Sequence, residues 1–321
     1  MRRATLGAGF DDIIKDEFLK LEPLEAKMLY LCASFATAAE FSISKQQLLA
    51  CVTARPAEVS NLISHNLRGI LIPTSNPERF LARHRVIAEF VVDKIAPRSV
   101  LKEAYISFLQ ALAHDIPFAG KLNASVRLYR RIINHTTVYK RFSFHLAEAR
   151  LIYSSIAPFF NRDHHFWLQY GSLELEYGEL HQAANYIEQA YQYAPDDDFV
   201  QTTRGLLLYK QSIAATQPEV AKDFRDRARD IIKAQAQARP LDHYPCHVFC
   251  ANELNWINRW LTLAREKKPA LEELRVFAMK AAAAHPTSRD VKNIAKSIED
   301  AYLDLAKPGS DAASSFNPVL G

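Results

Sequence analysis

Glycine is scarce in this chain, 9 in 321 residues, and that argues against an all-β fold built on glycine-rich turns. None of these glycines forms a G-x-x-x-x-G-K-[ST] loop, a G-x-G-x-x-G turn or a G-x-S-x-G elbow. A phosphate-cradling loop or a nucleophile elbow must therefore be unusual or absent. No stretch approaches the ~20 apolar residues of a membrane span. The opening MRRATLGAGF carries two arginines but lacks the apolar run of a signal peptide. Four cysteines, Cys32, Cys51, Cys246 and Cys250, do not make a secreted disulfide framework. The surplus of positive charge is also small, +4 from 40 basic and 36 acidic residues, and does not call for a nucleic-acid or membrane partner. The simplest compartment is the cytoplasm.

What is present is helical periodicity. A hydrophobic content of 49% and a charged fraction of 24% are ordinary for a folded protein. Phe10, Ile13, Ile14 and Phe18 share one face of a helix ending near Lys20, where Glu22-Pro23 breaks it. Helices follow over 24–35, 44–52 and 56–67, with Ser44 as an N-cap and Pro56 at a first helical position. Val59, Leu62, Ile63 and Leu67 make the buried stripe of the third. Residues 69–73 and 79–82 flank Thr74–Glu78 as a short hairpin, and another helix runs from about His84 to before Pro97.

Three helices and then a hairpin is the order of a winged helix-turn-helix. DNA binding would use Asn61, Ser64, His65 and Arg68 on the outer face of the third helix. That face offers one Arg and one His, with Glu58 opposing, whereas such domains gain affinity by neutralising several phosphates. A structural or interaction role is the default.

From Arg98 onward the pattern is helical: 100–114, a break at 116–120, then 124–134 and 142–156, the last ending at Pro158. The stretch Phe166 to Pro195 then reads as two helices, 166–177 and 181–193, joined at Gly178-Glu179-Leu180. A glycine in mid-helix costs about 1 kcal/mol against alanine, so Gly171 implies close helix packing. Trp167, Gly171, Gly178, Ala183, Ile187, Ala190 and Pro195 stand in register with the pattern of one tetratricopeptide (TPR) repeat, which this stretch resembles over about 30 residues. The tyrosine expected in the first helix is Glu174, the one clear departure.

Degenerate copies follow. Asp196–Asp198 can cap a helix 199–214 carrying Gly205 at the close-packing position. In its partner, 220–238, Ala228 and Ile232 precede Pro240 by the offsets that Ala183 and Ile187 keep from Pro195. A further pair, 245–265 and 269–284, ends at Pro286 after Ala278 and Ala281. The closing prolines thus recur about every 45 residues. A last helix, 289–305, with charges on its outer face, can cap a stack. The tail 307–321, rich in Ser, Ala and Pro, is expected to be disordered.

A second resemblance lies in Arg83-His84-Arg85-Val86-Ile87-Ala88-Glu89. It is similar to the R-H-x-V-I-A-E segment that follows the winged helix in bacterial STAND-type NTPases, many of which serve in anti-phage defence. The plain reading of these residues is a helix start with an Arg85–Glu89 ion pair. The resemblance implies an ATPase or effector module upstream, with GFDDIIKDEFLKLEP as its connector, and a phage protein as partner. This chain lacks the ATPase core and would be the sensor part alone, as a fragment or separately encoded.

Three clusters are candidates for chemistry. His243, Cys246, His247 and Cys250 are zinc-ligand types, but adjacent residues on one helix cannot surround a metal, and no second ligand pair exists. Cys246 and Cys250 on one face suit buried small hydrophobes. Asp163 caps the helix that His164 and His165 begin. Arg127, Arg130 and Arg131 share a face, and Lys140, Arg141 and His145 follow, interleaved with Tyr129, Tyr139, Phe142 and Phe144. Such a basic and aromatic stretch suits phosphate and base contacts, or an acidic partner peptide; as a plain surface it is a solvated edge over a hydrophobic stripe.

The expected fold is mainly α: a connector helix over 1–20, a winged-helix-like domain over 21–96 and a TPR-like α-solenoid over 98–306. The expected function is protein recognition, as the target-sensing region of a STAND-type defence protein, with Arg127, Arg130, Arg131, Lys140 and Arg141 as partner contacts. The repeat is structured by Trp167, Gly171, Gly178, Ala183, Ala190 and Pro195. No enzyme activity, catalytic residue, metal or cofactor is expected. The alternative is a nucleic-acid-binding regulator using the winged helix and the basic stretch 127–145.

Overall fold

The computed structural model describes the backbone of residues 2–116 and 123–306, and the side chains of 9–116 and 123–305. The expected tail over 307–321 and most of the break at 116–120 lie outside these residues. The chain divides into two compact units, Met1–Leu173 and Glu174–Gly321, both mainly helical.

In the first unit, α1 (Arg2–Lys20) buries Ile14 and Phe18, while Phe10 and Ile13 are exposed. The buried stripe is thus narrower than the sequence pattern, continuing through Leu21 instead. Helix α2 (Leu24–Ala38) is the centre. Ten consecutive residues, Met28 to Thr37, are buried, as a helix apolar on all sides requires.

Ser44 heads α3 (Lys45–Ala50) through a capping box with Gln47, which supplies two backbone donors with partners. Helix α4 (Pro56–Asn61) widens into an i→i+5 turn, Leu62–Asn66, closed by the Leu67 N–H on the Leu62 carbonyl at 2.9 Å. Gly69, at φ +77, then reverses the chain, a conformation that favours glycine.

Strands β2 (Leu71–Pro73) and β3 (Arg79–Ala82) form the expected hairpin, with Leu71 opposite Ala82. The sequence did not suggest β1 (Ile43–Ser44), which pairs with the other edge of β3 and makes a sheet of order β1-β3-β2. Thr37 on α2 accepts the Ala82 N–H at 2.8 Å and ties the sheet to the core.

Helix α5 (Arg85–Phe90) starts at a His84 cap and also ends in a wide turn, Val91–Ile95. Helix α6 (Arg98–Ala113) lays Tyr105 and Phe108 against Phe35, with ring centroids 4.9 and 6.0 Å apart. Helices α7 (Ala124–Ile132), α8 (His135–Arg141) and α9 (Leu146–Phe160) follow. Buried Tyr105 and Tyr153 donate their hydroxyls to the carbonyls of Ile132 and Ile133, which fixes the α7–α8 corner. Between α8 and α9, Ser143 and Phe144 adopt positive φ, so α9 begins later than the expected 142.

Pro158, expected to end a helix, and Pro269, expected to start one, instead lie within helices: Pro158 in α9, and Pro269 in α15 (Ala264–Ala284). Each removes one backbone bond. The carbonyls left without that donor, at Ser154 and Arg265, belong to exposed residues.

Helix α10 (His164–Tyr177) contains the boundary between the units. The second unit continues with α11 (Leu180–Tyr193), α12 (Asp198–Ala214), α13 (Pro218–Ala238), α14 (His243–Trp260), α15 and α16 (Arg289–Ala306). Each of these packs on the next, and the alternate helices α12, α14 and α16 also touch in turn.

One turn is built three times in this unit. The helices α11, α13 and α15 end at Ala194, Arg239 and His285, each with φ between −147 and −120 and ψ between 63 and 71. A proline comes next, then one residue, and then Asp197, Asp242 or Ser288, whose N–H returns to that end residue's carbonyl. The same three side chains accept N–H groups of the following helix as its cap.

Gly205 on α12 lies where a Cβ would stand 2.5 and 2.6 Å from Ile232 Cδ1 and Cγ1. The close approach expected of it is therefore real. Cys250, buried and small, occupies the same place in α14, eight residues after its cap. Ala183, Ile187 and Ala190 are fully buried, as are Ala228 and Ile232.

Candidate interaction surfaces

The five cations expected to meet a partner do not form one patch. Arg127, Arg130 and Lys140 are exposed on α7 and at the end of α8. Arg131 is exposed too, but lies 3.5 Å from Glu40, a carboxylate that Arg85 also uses. Arg141 is turned inward: its side chain is 18% exposed, its guanidinium lies over the rings of Phe35 and Tyr105, and Asp93 is 3.8 Å away. It is a packing residue, and the expectation that it faces a partner is corrected. Periodicity could not reveal this, because aromatic rings on two other helices draw it in.

Phe144 stands out beside Lys140 instead, 61% exposed at the positive-φ corner and edge-on to Tyr139. Arg98 holds this corner, donating to the Phe142 carbonyl at 2.7 Å and to Glu148 at 2.6 Å.

Asn61 at the end of α4, Ser64 and His65 in the wide turn that follows, and Arg68 just beyond it are exposed as expected. Ser64 donates back to the Ser60 carbonyl at 2.9 Å, and His65 Nδ1 lies 3.2 Å from the Asn61 carbonyl. Two of the four side chains thus spend polar atoms on their own helix.

Among the repeat residues, Gly171, Ala183 and Ala190 are buried, while Gly178 and Pro195 are exposed at turns. Trp167 donates its indole N–H to the Asn161 carbonyl at 2.8 Å. Asp163 caps α10 through the His165 N–H at 3.0 Å and accepts the Tyr129 hydroxyl at 2.6 Å.

Glu174, the departure from the repeat pattern, is buried and accepts the Glu179 N–H at the start of α11, at 3.2 Å. Eleven residues after the Asp242 cap, as Glu174 is after Asp163, stands Glu253, also buried. Its carboxylate accepts the Tyr209 hydroxyl at 2.8 Å and guanidinium N–H groups of Arg225, at 2.7 Å, and Arg229. Arg225 also lies 3.8 Å over the Trp256 ring.

Arg229 extends from this buried group to the surface, where it donates to Glu273 at 2.6 Å. Burial works against its charge, but Glu253 and Glu273 more than offset that and raise its pKa. Partial burial would raise the Glu273 carboxyl, yet Arg229 and Lys233 hold it below the usual carboxylate range. A lowered folded pKa adds stability above the unfolded value, about 4.3, and loses it as pH falls through the folded value. The Tm gap between the wild type and Glu273→Gln is therefore expected to be present at neutral pH and to close as pH falls below the usual carboxylate range. The gap is small, because the Glu273 side chain is 63% exposed and solvent screens it.

Beside this bridge, α13 and α15 flank a groove of two adjoining depressions of about 200 and 420 Å³, which share Lys233, Phe277 and Lys280. The sequence pointed to no site here, although Arg225, Arg229 and Lys233 recur at one-turn spacing.

The H-x2-C-H-x2-C cluster spreads around α14. Cys246 and Cys250 are buried, and burial pushes the Cys250 thiol up to about 12. The His243 ring faces His285 at 6.4 Å. Among the described residues, no three His, Cys, Asp or Glu side chains are placed to hold a metal ion, and no helix is long and apolar enough to cross a membrane.

No protein-family model, curated protein or solved structure matches this chain. The functional reading rests on the geometry and the sequence motifs.

Proposed function

We propose that this chain recognises a protein, as the target-sensing region of a STAND-type anti-phage defence protein. In this reading residues 21–96 are a winged-helix-like domain and 98–306 a TPR-like array. An ATPase or effector module acts upstream, and the bound target is a phage protein. The observation that supports the array most is the turn built three times, at Ala194, Arg239 and His285, with a proline next and a cap three residues on. Helix pairs stacked through a recurring turn offer an extended surface, the usual basis of binding by repeat proteins.

The test is biolayer interferometry of the immobilised chain against a panel of purified phage proteins and a random-sequence DNA duplex. Saturable binding of a panel member that persists at raised salt is the expected result. Binding of the duplex alone, with affinity falling steeply as salt rises, would overturn the reading in favour of a nucleic-acid regulator.

A further inference from the structure

The larger depression between α13 and α15 differs from the rest of the groove in its charge. It takes about 420 Å³ and is walled by Ala236, Ala281 and Ala284, with Phe277 and Cys246 as apolar surface. Lys233 and Lys280 stand together at the junction with the smaller depression, and His285 borders the larger one. No carboxylate is among its described lining residues. Glu273, which borders the smaller depression, is engaged by Arg229 and Lys233. Lys280 is exposed and makes no ion pair with a described residue.

Alanine on both walls leaves room for side chains that the protein itself does not supply. Apolar walls reward a bulky aliphatic group, by roughly 25 cal/mol per Å² removed from water. The two ammonium groups reward a carboxylate beside it, more strongly where the groove limits solvent. From Glu273 to His285, α15 rises about 18 Å, the span of five or six extended residues.

We propose that this groove binds an extended segment of a partner protein in which acidic and large aliphatic residues alternate. Carboxylates meet Lys233 and Lys280, and an aliphatic side chain fills the space between Ala236 and Ala284. This assignment rests on the protein-recognition reading and gives that reading its first specificity. It also moves the contact away from Arg127, Arg130 and Lys140, where sequence reasoning had placed it.

The probe is a fluorescein-labelled octapeptide of alternating aspartate and leucine, titrated with the full chain and followed by anisotropy. Two variants change exposed groove residues: Lys280→Glu reverses a charge, and Ala284→Trp fills the space. Circular dichroism and Tm confirm that both fold. Each is expected to weaken peptide binding by about tenfold or more, equal to about 1.4 kcal/mol. The control Arg127→Glu/Arg130→Glu is expected to leave it unchanged.

No binding to the wild type, equal binding of an all-aspartate octapeptide, or binding unmoved by both variants would each overturn the proposal. The phage-protein panel separates the two levels. If a panel protein still binds Lys280→Glu and Ala284→Trp as it binds the wild type, the groove is wrong and protein recognition stands. If the panel gives only duplex binding, the recognition reading itself falls.

Discussion

Glu253→Ala is expected to destabilise the second unit by about 3–5 kcal/mol, the range for removing one member of a buried ion pair. The Glu253 side chain is 1% exposed, and those of Arg225 and Arg229 are 14% and 18% exposed. Removing the carboxylate leaves two guanidiniums short of a counter-charge in a place where water reaches them poorly. Arg229 still has Glu273, but among the described residues Arg225 keeps only the face of Trp256. The Tyr209 hydroxyl loses its acceptor as well; burial and the Glu253 charge raise its pKa, so it stays a protonated donor.

Glu253→Gln is expected to fall between alanine and wild type, because an amide oxygen can still accept from Tyr209 but carries no charge. Replacing Arg225, Arg229 and Glu253 together by apolar residues of similar volume is expected to recover most of the loss, since the desolvation cost disappears with the charges. Hydrogen exchange at the α12, α13 and α14 amides is the suitable measurement. It reports this unit alone, whereas a melt of the whole chain can merge two transitions. A loss under 1 kcal/mol in Glu253→Ala would mean that the arginines find other partners.

Gly205→Ala sets two effects against each other. Alanine gains about 1 kcal/mol in helix propensity. The added Cβ, however, falls 2.5 and 2.6 Å from Ile232 Cδ1 and Cγ1. Ile232 is fully buried and branched, so its Cγ1 cannot swing away as a flexible tip would. Overpacking of this kind costs about 1–3 kcal/mol. The expected net result is a loss of up to about 2 kcal/mol, and Gly205→Val is expected to lose more. Ile232→Val in the Gly205→Ala background removes Cδ1 and is expected to restore part of the difference, by a coupling that Ile232→Val alone does not show. Stabilisation by Gly205→Ala would show that α12 and α13 can separate at little cost.

The sequence made much of the secondary structure legible. Ser44, Asp163 and the Asp196–Asp198 run announce helix starts, and the prolines at 195, 240 and 286 announce helix ends. A cap or a proline acts on backbone groups within one turn, so neighbouring residues suffice to read it. Gly205 was legible for a related reason, as a costly residue in mid-helix implies a contact that repays it. Asp242 and Ser288, two residues beyond Pro240 and Pro286, follow the same local rule as Asp197.

The failures share a different cause. Strand β1 is two residues long and exists only because β3 offers it a free edge. Pro158 read as a helix end and Pro269 as a helix start, yet α9 and α15 run through them. Arg141 read as an outward cation until Phe35 and Tyr105, far away in sequence, took it in.

Sequence by itself determined that this protein is mainly helical, where most of its helices start and stop, and that its helix pairs recur about every 45 residues. Tertiary structure alone decided which charges are buried, which basic residues face outward, and that α13 and α15 flank a groove. Caps, prolines and helical period act through bonds between near neighbours, whereas burial and charge pairing depend on atoms that folding brings together from distant parts of the chain.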